Sequence, residues 1–199
     1  MTESDRPTKW KPNWRAWLVL VTVLAALGLI VPWLHARQVR STLLKIRERA
    51  EQAQDAAEAA HARGDRDAYL ASLREAVRGY DAYLRQAPDD TEALNRLAFA
   101  VAEQAAGSPG NSQLQWNAYQ ILNRAVSKSP KNDALQRRLA EFAENLRRWS
   151  EAADAWRAVS ELAPGDSDAL LHWAQCLAAQ SRYQDAVQIL RQAIRTDPR

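Results

Sequence analysis

The apolar residues of this chain recur at the spacing of helices. Between residues 36 and 60 they stand alternately three and four positions apart, and the same spacing continues after Gly64 with larger side chains. The first set is Ala36, Val39, Leu43, Ile46, Ala50, Ala53, Ala57 and Ala60, and the second is Tyr69, Leu73, Ala76, Val77, Tyr80, Tyr83 and Leu84. β-Branched residues, which strands favour, concentrate before Val39. The pattern therefore predicts an all-α fold.

The alanine-rich first set has two interpretations. It has the heptad spacing of a coiled coil, which would join two copies of the chain, although alanine side chains bury little area. Alternatively, the helix breaks at Gly64 and the bulky second set folds back onto the alanines as a hairpin. We favour the hairpin, preceded by a stalk helix over residues 35–63. Homo-oligomerisation through the part of the stalk nearest residue 36 stays open.

An apolar segment without any charged residue covers residues 16–34. As a helix it would extend about 28 Å, which is close to the hydrocarbon thickness of a bilayer. Tryptophans lie near both ends, as expected at membrane interfaces. A cleaved signal peptide is the alternative, but the run is long and no small-x-small site follows it. We predict a polar tail over residues 1–15 and a single transmembrane helix over residues 16–34.

The basic residues give little information on orientation, because four precede this segment and five follow it within a similar distance. A short tail with four basic groups crosses a membrane less readily than a long domain does. We therefore predict a single-pass protein of a bacterial inner membrane, with its C-terminal part on the non-cytoplasmic side.

The strongest signal in the sequence is an internal repeat. The segments RAVSKSP, RAVSELAP and RQAIRTDP end at Pro130, Pro164 and Pro198, which are 34 residues apart. This is the period of helix-turn-helix units that stack on one another. The predicted repeat region covers residues 64–199, and its hairpins cover roughly residues 43–88, 91–130, 133–164 and 167–198.

Within this frame the chain resembles the tetratricopeptide repeat (TPR) family. The last unit matches the family pattern through Leu170, Trp173, Ala174, Leu177, Tyr183, Ala186, Leu190 and Ala193. The preceding unit matches through Leu139, Ala140, Trp149, Ala152 and Trp156, and departs from it at Val159, where a small residue is usual. The resemblance implies an α-solenoid of TPR-like repeats that serves as a scaffold for protein–protein interactions.

The resemblance also implies a binding groove on the concave face, formed by the first helix of each unit. The corresponding positions here are Glu92, Asn95, Phe99, Glu103, Arg137, Glu141, Glu144, Asn145, Asp168, Leu171, Gln175 and Ala179. The set is mainly acidic, so we expect a neutral or basic segment of a partner protein. The alternative is that these residues are solvated helix faces without a function.

Composition and charge exclude several other functions. The formal net charge is +3, of which the tail at residues 1–15 supplies +2, so the high pI does not indicate nucleic-acid binding. His172 and Cys176 lie four residues apart, but no further ligand follows, and we expect them to pack in a helix and not to bind a metal. The sequence contains no phosphate-binding loop or nucleophile elbow. We expect no cofactor and no enzymatic activity.

The sequence thus predicts a membrane-anchored TPR scaffold or adaptor, with a role in envelope complex assembly, secretion or chaperoning. The alternative is the N-terminal scaffold portion of a larger enzyme or export machine. It is motivated by the last repeat, which is not followed by a polar capping helix before Arg199.

Overall fold

The computed structural model describes residues 14–197, although within residues 15–40 it describes only some of the side chains. The described residues form eight α-helices and no strand, which confirms the prediction of an all-α fold. The helices are α1 (Trp14–Ala62), α2 (Arg66–Leu84), α3 (Thr91–Ala106), α4 (Ser112–Lys128), α5 (Asp133–Asn145), α6 (Trp149–Leu162), α7 (Ser167–Ala179) and α8 (Tyr183–Thr196).

The chain divides into two compact units, Met1–Leu44 and Lys45–Arg199. Positions 1–13 of the predicted tail lie outside the described residues. Among the described residues, no helix combines the length and the apolar character that crossing a membrane requires. This contradicts the transmembrane helix predicted at residues 16–34 and the predicted bacterial inner-membrane localisation.

The second unit is an array of helix pairs, and we call its described residues, 45–197, the helical array. Each helix packs on its neighbours in the chain, and α3 also contacts α5. Pro88, Pro130 and Pro164 all lie in turns, because proline cannot continue a helix. Pro198 lies outside the described residues. The array has the solenoid-like arrangement that the repeat pattern indicates.

Polar residues set where the helices of the array begin. An aspartate or asparagine precedes most of them, and its side chain accepts a hydrogen bond from the amide three residues later at 3.0–3.1 Å. These N-caps are Asp65, Asp90, Asn111, Asn132 and Asp166. Each satisfies an otherwise unpaired helix N–H group and contributes about 1 kcal/mol. The sequence thus fixes the helix boundaries locally.

The core alternates small and large side chains. Alanines fill the crossings within each pair, for example Ala140 with Ala152 buried in α5 and α6. Large residues then fill the layer between one pair and the next. One position of the second helices holds Tyr80, Leu122 and Trp156 in successive pairs, and each is at most 2% exposed. Burying such a side chain stabilises the fold by about 1.5–3 kcal/mol.

Helices α1 and α2 of the first pair approach each other closely. Ala50, Ala53, Ala57 and Ala60 of α1 are all buried. A Cβ atom added at Gly79 of α2 would lie 2.7 Å from the Cβ of Ala50. Tyr80 next to it donates a hydrogen bond to Gln54 Oε1 at 3.0 Å. The alanine side of the heptad pattern therefore lies inside the hairpin.

This close approach predicts that a glycine-to-alanine change inside α2 lowers the stability of the protein, which is the opposite of its usual effect in a helix. An alanine in place of glycine inside a helix normally stabilises it by about 1 kcal/mol. We expect Gly79→Ala to destabilise the protein instead, by about 1–3 kcal/mol, because the new methyl group overlaps Ala50. Urea unfolding followed by circular dichroism measures the change.

Gly110→Ala is the matched control, since a Cβ atom there meets nothing within 4 Å. It should change the unfolding free energy by less than about 0.5 kcal/mol. A Gly79→Ala protein that is more stable than the parent would show that α1 and α2 are not packed this closely.

Candidate protein-binding face

The first helices of successive pairs are joined by a row of charged side chains, which we call the first-helix face. At the start of the row, Arg47 of α1 contacts three carboxylates. Its guanidinium lies 2.9 Å from Glu51, 3.1 Å from Asp90 and 2.8 Å from Glu92. The hydrogen bonds from Arg47 and Arg96 lower the pKa of Glu92. This arginine therefore holds the first turn of α3 against α1.

The next contact joins α3 to α5. Arg138 pairs with Glu103 of α3, and its other nitrogen lies 3.2 Å from Glu141 of its own helix. The Tyr69 hydroxyl of α2 donates to Glu103 at 3.1 Å. Burial and the nearby Glu103 carboxylate raise the pKa of Tyr69 to about 12. Glu103 is thus shared between the first three pairs of helices.

The third contact joins α5 to α7 through a helix cap. Arg137 pairs with Asp166, whose other oxygen accepts from the Ala169 amide at 3.0 Å. Burial opposes ionisation of Asp166, but the Arg137 guanidinium and the Ala169 amide outweigh it and lower the pKa of this carboxyl. One carboxylate therefore starts α7 and also fastens it to the preceding pair.

Glu144 of α5 accepts from side chains of two other helices. Its Oε1 lies 2.8 Å from Trp156 Nε1, 3.2 Å from Cys176 Sγ and 3.3 Å from His172 Nδ1. The rings of Trp156 and His172 stack at 4.6 Å. Burial, and then the bond to Glu144, raise the pKa of the Cys176 thiol, which keeps it protonated as a donor. No group of three metal-ligating side chains suited to a metal ion is found in the described part of the chain.

The remaining groove residues differ in their surroundings. Asn95 donates to Ser129 Oγ at 3.0 Å, and Phe99 is half-buried. The others are exposed to solvent: Asn145, Asp168, Leu171, Gln175 and Ala179. Asp168 has no ion-pair partner among the described residues. These side chains are the ones most available to a partner.

Two predicted groove residues of α5 do not pair with each other. Arg137 and Glu141 are one turn apart on α5, but Arg137 pairs with Asp166 and Glu141 pairs with Arg138. Sequence reasoning missed Arg47 and Arg138, because their partners on other helices lie 35 to 45 residues away. The aspartates that follow Pro88 and Pro164 can be recognised in the sequence as N-caps. They therefore indicate where a carboxylate is held in place at a helix start, available to pair with an arginine.

Pairing reduces the charge of the first-helix face without cancelling it. The face contains four arginines and eight carboxylates. The arginines are Arg47, Arg96, Arg137 and Arg138, and the carboxylates belong to Glu51, Asp90, Glu92, Glu103, Glu141, Glu144, Asp166 and Asp168. The face therefore keeps an excess of negative charge.

The pairing of Asp166 predicts a pH-dependent contribution to stability. Asparagine keeps the helix cap but loses the charge, so Asp166→Asn should cost about 1 kcal/mol at pH 7. Because the folded-state pKa of Asp166 lies below its ordinary value of 3.8, this contribution is present above about pH 4 and is lost as the pH falls through the folded-state pKa.

Urea unfolding of both proteins between pH 7 and pH 3 measures this difference. Asp133→Asn, in the exposed first turn of α5, is the control and should show almost no difference. A cost for Asp166→Asn that stays constant down to pH 3 would contradict the proposed pairing.

Glu144 provides a second stability test. Glu144→Ala leaves the donors of Trp156 and Cys176, which are buried, without an acceptor and should cost about 2–3 kcal/mol. Glu144→Gln keeps one oxygen acceptor and should cost less than half as much. The unfolding free energies of both variants measure these costs, with exposed Glu161→Ala as the control. Equal costs for the alanine and glutamine variants would exclude Glu144 as a stabilising hydrogen-bond acceptor.

Comparison with known proteins supports the repeat assignment. Residues 147–199 match the family model described as tetratricopeptide repeat. No curated protein has significant sequence similarity to the chain. The fold is similar to that of MamA AMB-1, with a TM-score of 0.57 and 20% identity over 75% of this chain and 79% of that one. It is also similar to MamA residues 41 to end from Desulfovibrio magneticus RS-1, with a TM-score of 0.56 and 17% identity over 75% and 76% of the two chains.

These identities are low, so the MamA structures bear on the fold alone. The fold likeness covers helices outside the matched segment, and the sequence match identifies the segment of the last three helices, α6 to α8, as tetratricopeptide-like. Together the comparisons support the resemblance to the TPR family, and they lend no support to a membrane anchor.

Proposed function

We propose that the helical array is a protein-interaction scaffold that binds a neutral or basic segment of a partner along the first-helix face. TPR-like arrays support an adaptor role in general. The excess of carboxylates over arginines along the first helices is the observation that supports binding of a neutral or basic segment. A surface with net negative charge attracts basic segments and repels acidic ones.

The segment that fits this face combines cationic and apolar residues. Exposed Leu171 and half-buried Phe99 offer apolar contacts at two points along the face. Asp168 lies one turn before Leu171 and has no ion-pair partner among the described residues. Glu92 and Glu141 keep accessible oxygens although they pair with arginines. A lysine or arginine side chain of a partner could contact each of these carboxylates.

The charges are expected to set specificity more than affinity. Exposed ion pairs contribute about 0.2–1 kcal/mol each and weaken with salt. Glu144 contributes little to this attraction, because its carboxylate already accepts from side chains of α6 and α7. The prediction that the chain has no catalytic activity stays a prediction.

A peptide titration tests this proposal. Three fluorescein-labelled peptides of equal length and apolar content, carrying four lysines, four glutamines or four glutamates, are titrated with the full chain at low and physiological salt. We expect the lysine peptide to bind at least as tightly as the glutamine peptide, and the glutamate peptide to bind most weakly. Added salt should reduce the difference between the peptides.

A pair of double variants locates the binding surface. Glu92→Gln with Glu141→Gln removes two charges from the first-helix face and should weaken the lysine peptide by about fivefold. Asp154→Asn with Glu161→Gln removes two charges from α6, where both residues are exposed, and should have little effect. Tightest binding of the glutamate peptide, or equal losses in both double variants, would refute the proposal.

A further inference from the structure

A pocket lies where the turn between α1 and α2 meets the end of α3. Its volume is about 380 Å³, and its lining includes His61, Asp65, Arg66, Tyr69, Leu70 and Gly107. The rings of His61 and Tyr69 lie 5.1 Å apart at an angle of 46°. Arg66 donates to the Gly107 carbonyl at 3.2 Å, and this bond joins the start of α2 to the end of α3. We call these six residues the first-turn pocket.

The first-turn pocket lies where the first pair of helices differs from the others. Tyr69 is the fourth residue of α2, and the fourth residues of the other second helices are Gln115, Ala152 and Ala186. Those three are at most 8% exposed, whereas Tyr69 is half-buried. Part of its ring packs on buried residues of α1, α2 and α3. The rest of the ring is left accessible at a position that is buried in the other pairs.

Hydrogen bonds within the protein occupy most polar groups of the pocket. The Tyr69 hydroxyl donates to Glu103 at 3.1 Å, and Asp65 accepts from the Ala68 amide at 3.0 Å as the N-cap of α2. The Gly107 carbonyl already accepts a hydrogen bond, as described above. A ligand rich in hydrogen-bonding groups would leave water and find few partners here. The pocket therefore favours an apolar ligand.

The charges around the pocket balance, which favours a neutral ligand. Asp65 and Arg66 line it with opposite charges, and the same turn adds exposed Arg63 and exposed Asp67. Glu103, which accepts from the Tyr69 hydroxyl, is paired with an arginine of α5. A ligand of either sign would therefore meet attraction and repulsion together.

Arg66 favours an aromatic ring over an aliphatic side chain. Its guanidinium has no carboxylate within ion-pair distance among the described residues. An arginine in this state can lie over the face of an aromatic ring. The rings of His61 and Tyr69 can also pack against a further ring at centroid distances of about 4.5–7 Å. An aliphatic side chain gains neither interaction.

We propose that the first-turn pocket binds one aromatic side chain, carried by an uncharged segment of a partner protein. Small-molecule sites have volumes of about 300–1,000 Å³, so this pocket has room for one ring and not for a longer segment. His61, Asp65 and Arg66 are exposed, so the ring enters from solvent and the backbone of the partner stays outside. No residue of the pocket belongs to the first-helix face, and the inference does not depend on the function proposed above.

A second copy of this chain is a less suitable partner. Among the described residues of the array, the exposed aromatic side chains are Trp116 and Tyr183. Arg148 lies over the Trp116 ring at 5.4 Å. Tyr183 lies beside the ion pair of Arg182 and Asp185. Neither ring is therefore carried by an uncharged segment.

Competition between neutral peptides tests the proposal. The probe is a short glycine–serine peptide with fluorotryptophan at its centre, and its fluorine NMR signal is followed during titration with the full chain. We expect a saturable change in this signal. Unlabelled peptides with phenylalanine or leucine at the same place then displace the probe, and the phenylalanine peptide should be about fivefold more effective.

Two variants with a matched control locate the site. His61→Ala removes one ring of the pocket and Arg66→Ala removes the guanidinium, and each should weaken binding of the probe about threefold or more. Arg63→Ala removes the same charge from the same turn but lies outside the pocket lining, so it should bind as the parent does. All three residues are exposed, and circular dichroism melting checks that each variant keeps the fold.

The lysine peptide that tests the first-helix face should not displace the probe, which separates the two surfaces. Absence of a saturable change, equal displacement by the leucine and phenylalanine peptides, or parental binding by both His61→Ala and Arg66→Ala would overturn the proposal. A dimer of the parent in sedimentation that His61→Ala abolishes would also overturn it, because a second copy would then occupy the pocket.

Discussion

The fold depends on one constraint, namely that each second helix is buried only when the next first helix covers it. Tyr80, Leu122 and Trp156 lose nearly all contact with water because α3, α5 and α7 follow them. Stability in such an array comes from interfaces between neighbours, since a single pair cannot bury its own apolar side. Small residues at the crossings, such as Ala140 and Ala152, let the helices approach closely enough for these large side chains to be enclosed.

Electrostatics follows from the same stacking. Each contact between first helices brings an arginine of one pair to a carboxylate of a neighbouring pair, as with Arg138 and Glu103 or Arg137 and Asp166. These pairs are partly exposed, so each contributes modestly to stability. Their main effect is on the surface, because they neutralise part of an acidic row and leave it with an excess of negative charge.

The repeats were predictable from the sequence because their signals are local. Pro130 and Pro164 mark turns, Asn132 and Asp166 cap the helices that follow, and alanines recur at the crossings. The partners of Arg47 and Arg138 were not predictable, since one sequence does not show which exposed side chains meet across 35 to 45 residues. Glu144 was chosen as a groove residue by its position, whereas its contacts to Trp156 and Cys176 depend on three helices packing together. The transmembrane helix predicted at residues 16–34 is contradicted, because no helix among the described residues is long and apolar enough to cross a membrane.

The shared carboxylate of Glu144 has a consequence for how the array unfolds. It lies on α5 but accepts from Trp156 of α6 and Cys176 of α7, so the last two pairs share one acceptor. Detaching α7 would expose the ring of Trp156 and release one of the donors of Glu144 at the same time. These two pairs are thereby thermodynamically coupled, and local fraying that begins at the C-terminal pair has to disrupt its neighbour before it can spread.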